Sequence, residues 1–184
     1  MLIGLISDTH IPEAGPEIPP QVYKAFQNVD LVLHAGDMHV IDVLNWLEWI
    51  SPVLGARGNG DYPSGSDNNR PGVPEDPRVK KAHVLKLEGF TLGLTHYFPT
   101  PDEMPWTNLE AIMDRIFGQR VEIVICGDTH VELVLQQNGI LLVNSGSPTL
   151  PHNLMPQLGT VALLELRLGE APKSEIIHLR DIPL

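Results

Sequence analysis

Apolar residues in this chain fall into short runs, each closed by glycine, proline or a charged residue. Leu2 to Ile6 is the first, Leu31 to Leu33 the second and Val121 to Cys126 a later one. Such runs are too short for buried helices and read as strands covered on both faces. Between them the apolar positions take a helical spacing. The pattern predicts helices near Gln21–Gln27, opened by Pro19 or Pro20, and over Val40–Ile50 and Pro105–Phe117. Leu31–His34 and Pro52–Gly55 complete a strand–helix rhythm, which is that of a parallel sheet with covering helices. Ala82–Leu87 with Phe90–Thr95, and Val131–Gln136 with Ile140–Val143, read as hairpins about Glu88-Gly89 and Asn138-Gly139. Asn144 to Pro148 reads as a turn, Thr160–Leu168 and Glu175–Leu179 as a last strand pair, and Asp61 to Arg78 as a long loop.

Polar residues gather where these strands end. Asp8 and His10 follow the first, Asp37 the second and Asn59 the third; His96 follows the second strand of the first hairpin, and Asp128 with His130 follow Val121–Cys126. Carboxyl ends of strands are where open α/β sheets place their ligands. In an extended chain, residues two apart share a side, so Asp8 and His10 are expected to project together. Burying so many polar groups for packing alone is expensive. A pair of divalent cations would satisfy carboxylate oxygens and imidazole nitrogens at once.

Composition narrows the field. The chain has 184 residues, 42% hydrophobic, with a net charge of -11 and one cysteine. The expectation is one domain, residues 1–184. Strong acidity disfavours a nucleic-acid duplex as partner. A single cysteine excludes an internal disulfide and a thiolate metal cluster and suits a cytoplasmic location. No signal-peptide pattern and no apolar run of membrane length is seen, so no membrane partner is expected. A homo-oligomer is left open.

The ordered set Asp8-x-His10, Gly36-Asp37, Gly58-Asn59, His96 and Gly127-x-x-His130 resembles the calcineurin-like metallophosphoesterase superfamily. The small size and Val143-Asn144-Ser145-Gly146-Ser147 resemble its YfcE-like phosphodiesterase branch. The resemblance spans nearly the whole chain. It implies an α/β fold, a four-layer α/β/β/α sandwich of two mixed sheets flanked by helices. It implies that Asp8, His10 and His130 hold one metal, that Asn59, His96 and Asp128 hold a second, and that Asp37 bridges both. The implied activity is hydrolysis of a small phosphoester by a metal-bridging hydroxide, with Asp37, Asn59 and His96 nearest the chemistry. A phosphomonoesterase, or a protein-binding scaffold like the relative in the eukaryotic retromer, are the alternatives.

The chain departs from the family pattern in three places. Asp128 stands where histidine is usual. It either ligates, favouring Mn or Fe over softer metals (Mn is the expectation, with Fe, Ni or Zn as alternatives), or merely hydrogen-bonds nearby. Gly60 stands where many members carry a histidine that protonates the leaving group. His39 is a candidate for that role, its alternative being an exposed residue at a helix start. Tyr97-Phe98 follows His96 where glycine is usual, either narrowing the cleft or forming a plain wall. Among the remaining candidates His34 reads as a core histidine, and His83, His152 and His178 as surface, with His152 a weak candidate for the site. Cys126 reads as packing, Arg57 as a phosphate contact or a salt bridge, and Trp46 and Trp49 as packing or interface.

Overall fold

The computed structural model describes residues 1–65, 69–100 and 108–184. Its strands are β1 (Leu2–Ile6), β2 (Leu31–His34), β3 (Val53–Ala56), β4 (Val79–Lys80), β5 (Ala82–Leu87), β6 (Phe90–Thr95), β7 (Ile123–Cys126), β8 (Glu132–Gln137), β9 (Ile140–Ser145), β10 (Thr160–Glu165) and β11 (Lys173–His178). The α-helices are α1 (Pro20–Ala25), α2 (Asp42–Glu48) and α3 (Leu109–Phe117). Two mixed sheets result, ordered β11-β10-β1-β2-β3-β4 and β5-β6-β7-β9-β8. β1, β2 and β3 run parallel, as do β6, β7 and β9.

The alternation of side chains explains the layers. Ile3, Leu5 and Leu33 from one sheet meet Leu92, Leu94, Ile123, Ile125 and Val143 from the other. The opposite face of the first sheet, with Ile6 and Val32, buries Val22 on α1, Phe26 just past its end, and Leu44 and Leu47 on α2. The opposite face of the second, with Val124 and Leu142, buries Ile112 and Met113 on α3. This is the four-layer α/β/β/α sandwich. Each sheet leaves room for a ring: a Cβ at Gly4 would sit 3.0 Å from the Phe26 ring, and one at Gly93 2.6 Å from that of Phe117.

Some elements differ from the pattern's expectation. α1 and α2 are six and seven residues long, shorter than expected. The two-residue β4, set beside β3, carries no periodic signal. Asn144 and Ser145 belong to β9 rather than to a turn, since Asn144 pairs with Cys126 and Leu133. α3 is described from Leu109, and its expected start at Pro105 lies outside the described residues. The Glu88-Gly89 and Asn138-Gly139 turns have positive φ at both residues, as two-residue hairpins require. No helix among the described residues is long and apolar enough to cross a membrane.

Candidate metal centre

The loops after β1, β2, β3, β6 and β7 meet at one edge of the sandwich. Backbone bonds lace them together: Asp8 N–H donates to Gly36 O at 2.9 Å, His10 N–H to Asp37 O at 3.0 Å, and Gly127 N–H to His96 O at 2.8 Å. Asp128 N–H reaches the Asp8 Oδ2 atom across the two sheets, at 3.1 Å. The sequence places Asp8 and His10 together, but not for the reason of strand alternation. Both are left-handed, with φ of 55° and 48°. Asp37 with His39, and Asp128 with His130, repeat the device at 56°, 67°, 71° and 58°. Such conformations cost on the order of 1 kcal/mol each outside glycine and gather at functional sites.

All seven expected residues converge. His10 Nε2 lies 3.6 Å from Asp37 Oδ2 and 4.0 Å from Asp8 Oδ1, and His130 Nε2 lies 3.6 Å from Asp8 Oδ1. On the other side His96 Nε2 lies 3.5 Å from Asp37 Oδ1, 3.3 Å from Asp128 Oδ1 and 3.1 Å from Asn59 Oδ1. Asp37 thus turns one oxygen to each group. Asp8 is fully buried, and its Oδ1, like His10 Nε2, has no hydrogen-bond partner among the described residues. Orphaned buried donor atoms of this kind fit divalent cations. The tautomers fit as well. His96 Nδ1 faces Ala35 O at 2.8 Å and His130 Nδ1 faces Leu150 O at 2.8 Å. A hydrogen on each Nδ1 leaves the Nε2 lone pair for an ion.

Electrostatics set the resting protonation. Burial pushes the Asp8 carboxyl up to about 6 and pulls the His10 imidazole down to about 2. Burial alone would also lower His96, but its bond to Asp128 and the charges of Asp8 and Asp37 raise it to about 9. Asp128 is held below the usual carboxylate range by the same bond.

A profile of the calcineurin-like phosphoesterase superfamily domain matches residues 1–169. The chain belongs to that family. A probable metallophosphoesterase of Methanothermobacter thermautotrophicus is 36% identical over 183 residues, covering 97% of this chain and 92% of that one. Solved structures share the fold. Vps29 of Entamoeba histolytica, complexed with zinc, has a TM-score of 0.68 at 22% identity, covering 97% of this chain and 99% of its own. An archaeal phosphodiesterase has a TM-score of 0.62 at 18% identity, covering 96% and 100%. Phosphoric ester hydrolysis supported by divalent metals is the chemistry of this family, and the donor set here suits such metals.

Three residues outside the expected donor set hold its turns in place. Asp61 is fully buried. Its Oδ1 accepts from Met38 and His39 N–H at 2.8 and 2.9 Å, and its Oδ2 from Asp37 and Gly58 N–H at 3.0 and 2.7 Å. It ties the Asp37 turn to the Asn59 turn. Its signal was the acidic residue three places after Gly58, a capping pattern at a one-turn helix over Asn59–Asp61. Asn144 braces the Asp128 turn through Gly127 O at 2.8 Å and Thr129 Oγ1 at 3.1 Å. Ser147 Oγ donates to Asp8 O at 2.7 Å.

Other expectations change. His39 is fully buried and precedes α2, with its ring against Gly60, where a Cβ would sit 2.5 Å from Nε2. His83 is buried too and bonds Gly55 O at 2.9 Å, because β5 packs its inward side against β3. His34 is the core histidine expected, paired with Thr9 Oγ1 and Gly36 N–H. His152 is exposed, 3.6 Å from Glu132, and His178 is exposed. Arg57 donates to Val73 O and Pro74 O, pinning the following loop, and lies 3.6 Å from Glu75. Cys126 is packed in the core under α3, as is Phe98, whose ring stacks on Phe117; Tyr97 is exposed. Trp46 packs against the core and Trp49 is exposed.

Proposed function

We propose that the chain is a dinuclear metal-dependent phosphodiesterase, with Mn as the preferred ion. The observation that carries this reading is Asp37, whose two oxygens face two separate donor groups. Asp8, His10 and His130 would hold one ion and Asn59, His96 and Asp128 the other, Asp37 serving both. When bound, two such ions lower the pKa of a water and neutralise charge on phosphoryl oxygens. The chain's own part is positional. Ala35 O and Leu150 O orient His96 and His130, and Gly60 N–H fixes Asp37 Oδ1 at 2.7 Å.

Charge favours the diester. Asp8, Asp37 and Asp128 offset most of the charge of two divalent ions, leaving less attraction for a dianionic monoester than a histidine at 128 would. The phosphodiesterase neighbour accords with this choice. Mn-loaded protein is therefore expected to hydrolyse bis-p-nitrophenyl phosphate faster than p-nitrophenyl phosphate. A faster monoester reaction would replace the diesterase reading, and inertness under Mn, Fe, Ni and Zn would leave the scaffold.

The His96 side of the site is pH-sensitive. Below its pKa of about 9 the imidazole keeps a proton that an ion must displace. Affinity for the second ion should rise about tenfold per pH unit between pH 7 and 9, then level off, in equilibrium dialysis. A flat profile would take His96 out of the donor set. Asp128→Ala should weaken one ion by about 10–100-fold and spare the other, while Asp128→His keeps both. Unchanged metal content in the alanine variant would make Asp128 a mere neighbour.

A further inference from the structure

Two of the three imidazoles in the donor set have a backbone carbonyl at Nδ1; among the described residues His10 Nδ1 has none. What faces its Nδ1 is Glu13 Oε2, at 3.8 Å. The same oxygen lies 3.6 Å from Nδ1 of buried His39, whose ring meets that of His10 edge to face with centroids 4.3 Å apart. From the outer side Arg70 grips the carboxylate, Nε to Oε2 at 3.1 Å and Nη2 to Oε1 at 3.4 Å.

We propose that Glu13 is a positioning residue of the metal centre, accepting the Nδ1 hydrogen of His10 so that Nε2 presents its lone pair inward. The inference rests on reading His10 as a ligand. Ligation through Nε2 leaves the ring hydrogen on Nδ1, and that hydrogen is buried, so it needs an acceptor. The gap to Glu13 exceeds a hydrogen bond by under about 1 Å. Glu13 sits in a loop with its side chain 36% exposed, so it can close that gap. His39 occupies the same carboxylate from a second side, and Arg70, from the loop after Asp61, fixes it from a third. His10 is thereby tied, through Glu13, to a loop 57 residues beyond that glutamate.

The same three residues, His10, Glu13 and His39, each bring a ligand atom close enough to the others to hold a cation themselves. Against this, a third ion would need both nitrogens of His10 and would share its carboxylate with a guanidinium. Calorimetric titration with Mn separates the readings. Wild type is expected to bind two ions. Glu13→Ala should weaken one of them by about 10–100-fold with the melting temperature before metal addition unchanged. Glu13→Gln, which keeps one acceptor oxygen, should fall between. Two ions bound to Glu13→Ala as tightly as to wild type would overturn the role of Glu13 alone. Three ions in wild type and two in Glu13→Ala would replace it with a cation site. No ion in wild type would remove the dinuclear reading as well.

Discussion

Asp61→Ala is expected to lower the melting temperature by about 10 °C and to abolish tight metal binding. The carboxylate takes four backbone N–H groups, from Asp37, Met38, His39 and Gly58, in a fully buried position. Burial raises its pKa, and those N–H bonds to the charged form work against the rise. Alanine would orphan all four donors. At about 1 kcal/mol or more each, with some relief from entering water, the loss is about 3–5 kcal/mol. For a chain of this size each kcal/mol shifts the midpoint by about 2–4 °C. Asparagine keeps an acceptor for Met38 and His39 but turns an amide N–H₂ toward Asp37 and Gly58, so about half the loss should remain. The metal effect follows from the same bonds, since the turn they hold is the one that aims Asp37. Melting within 2 °C of wild type would show that the carboxylate does not hold these loops.

Asp37→Ala is expected to cut hydrolysis of bis-p-nitrophenyl phosphate by about a thousandfold or more, with at most one ion retained. Here stability should hold. Asp37 stands 3.6 Å from His10 Nε2 and 3.5 Å from His96 Nε2, and its charge helps to push Asp8 up. Removing it relieves repulsion between two buried carboxylates, so the melting temperature before metal addition should not fall by more than a few degrees. A folded variant that keeps two ions and its activity would show that Asp37 is not shared.

The donor residues were legible because strand ends are legible. Short apolar runs closed by Gly-Asp or Gly-Asn mark where a buried strand meets a crevice, and each run here ends at that edge. The reason for the Asp8–His10 pairing was not legible. Alternation in an extended chain predicts a shared side, whereas the chain turns left-handed at both residues, φ 55° and 48°. The same runs, being buried on both faces, hide which side meets the other sheet. The sandwich was therefore reached through the family resemblance rather than through periodicity. Asp61, Glu13 and Arg70 escaped for a different cause. Apart from the Gly58–Asp61 and His10–Glu13 spacings, they act through partners 22 to 57 residues away, which no local spacing records. His39 and His83 misled because a lone polar residue beside a helix start or in a hairpin carries no sign of what packs over it.

The most direct test is anomalous scattering from crystals soaked in Mn. Two peaks about 3.5–4 Å apart are expected. One should be ringed by Asp8, His10 and His130 and the other by Asn59, His96 and Asp128, with Asp37 between them. One peak alone, or peaks away from Asp37, would contradict the account.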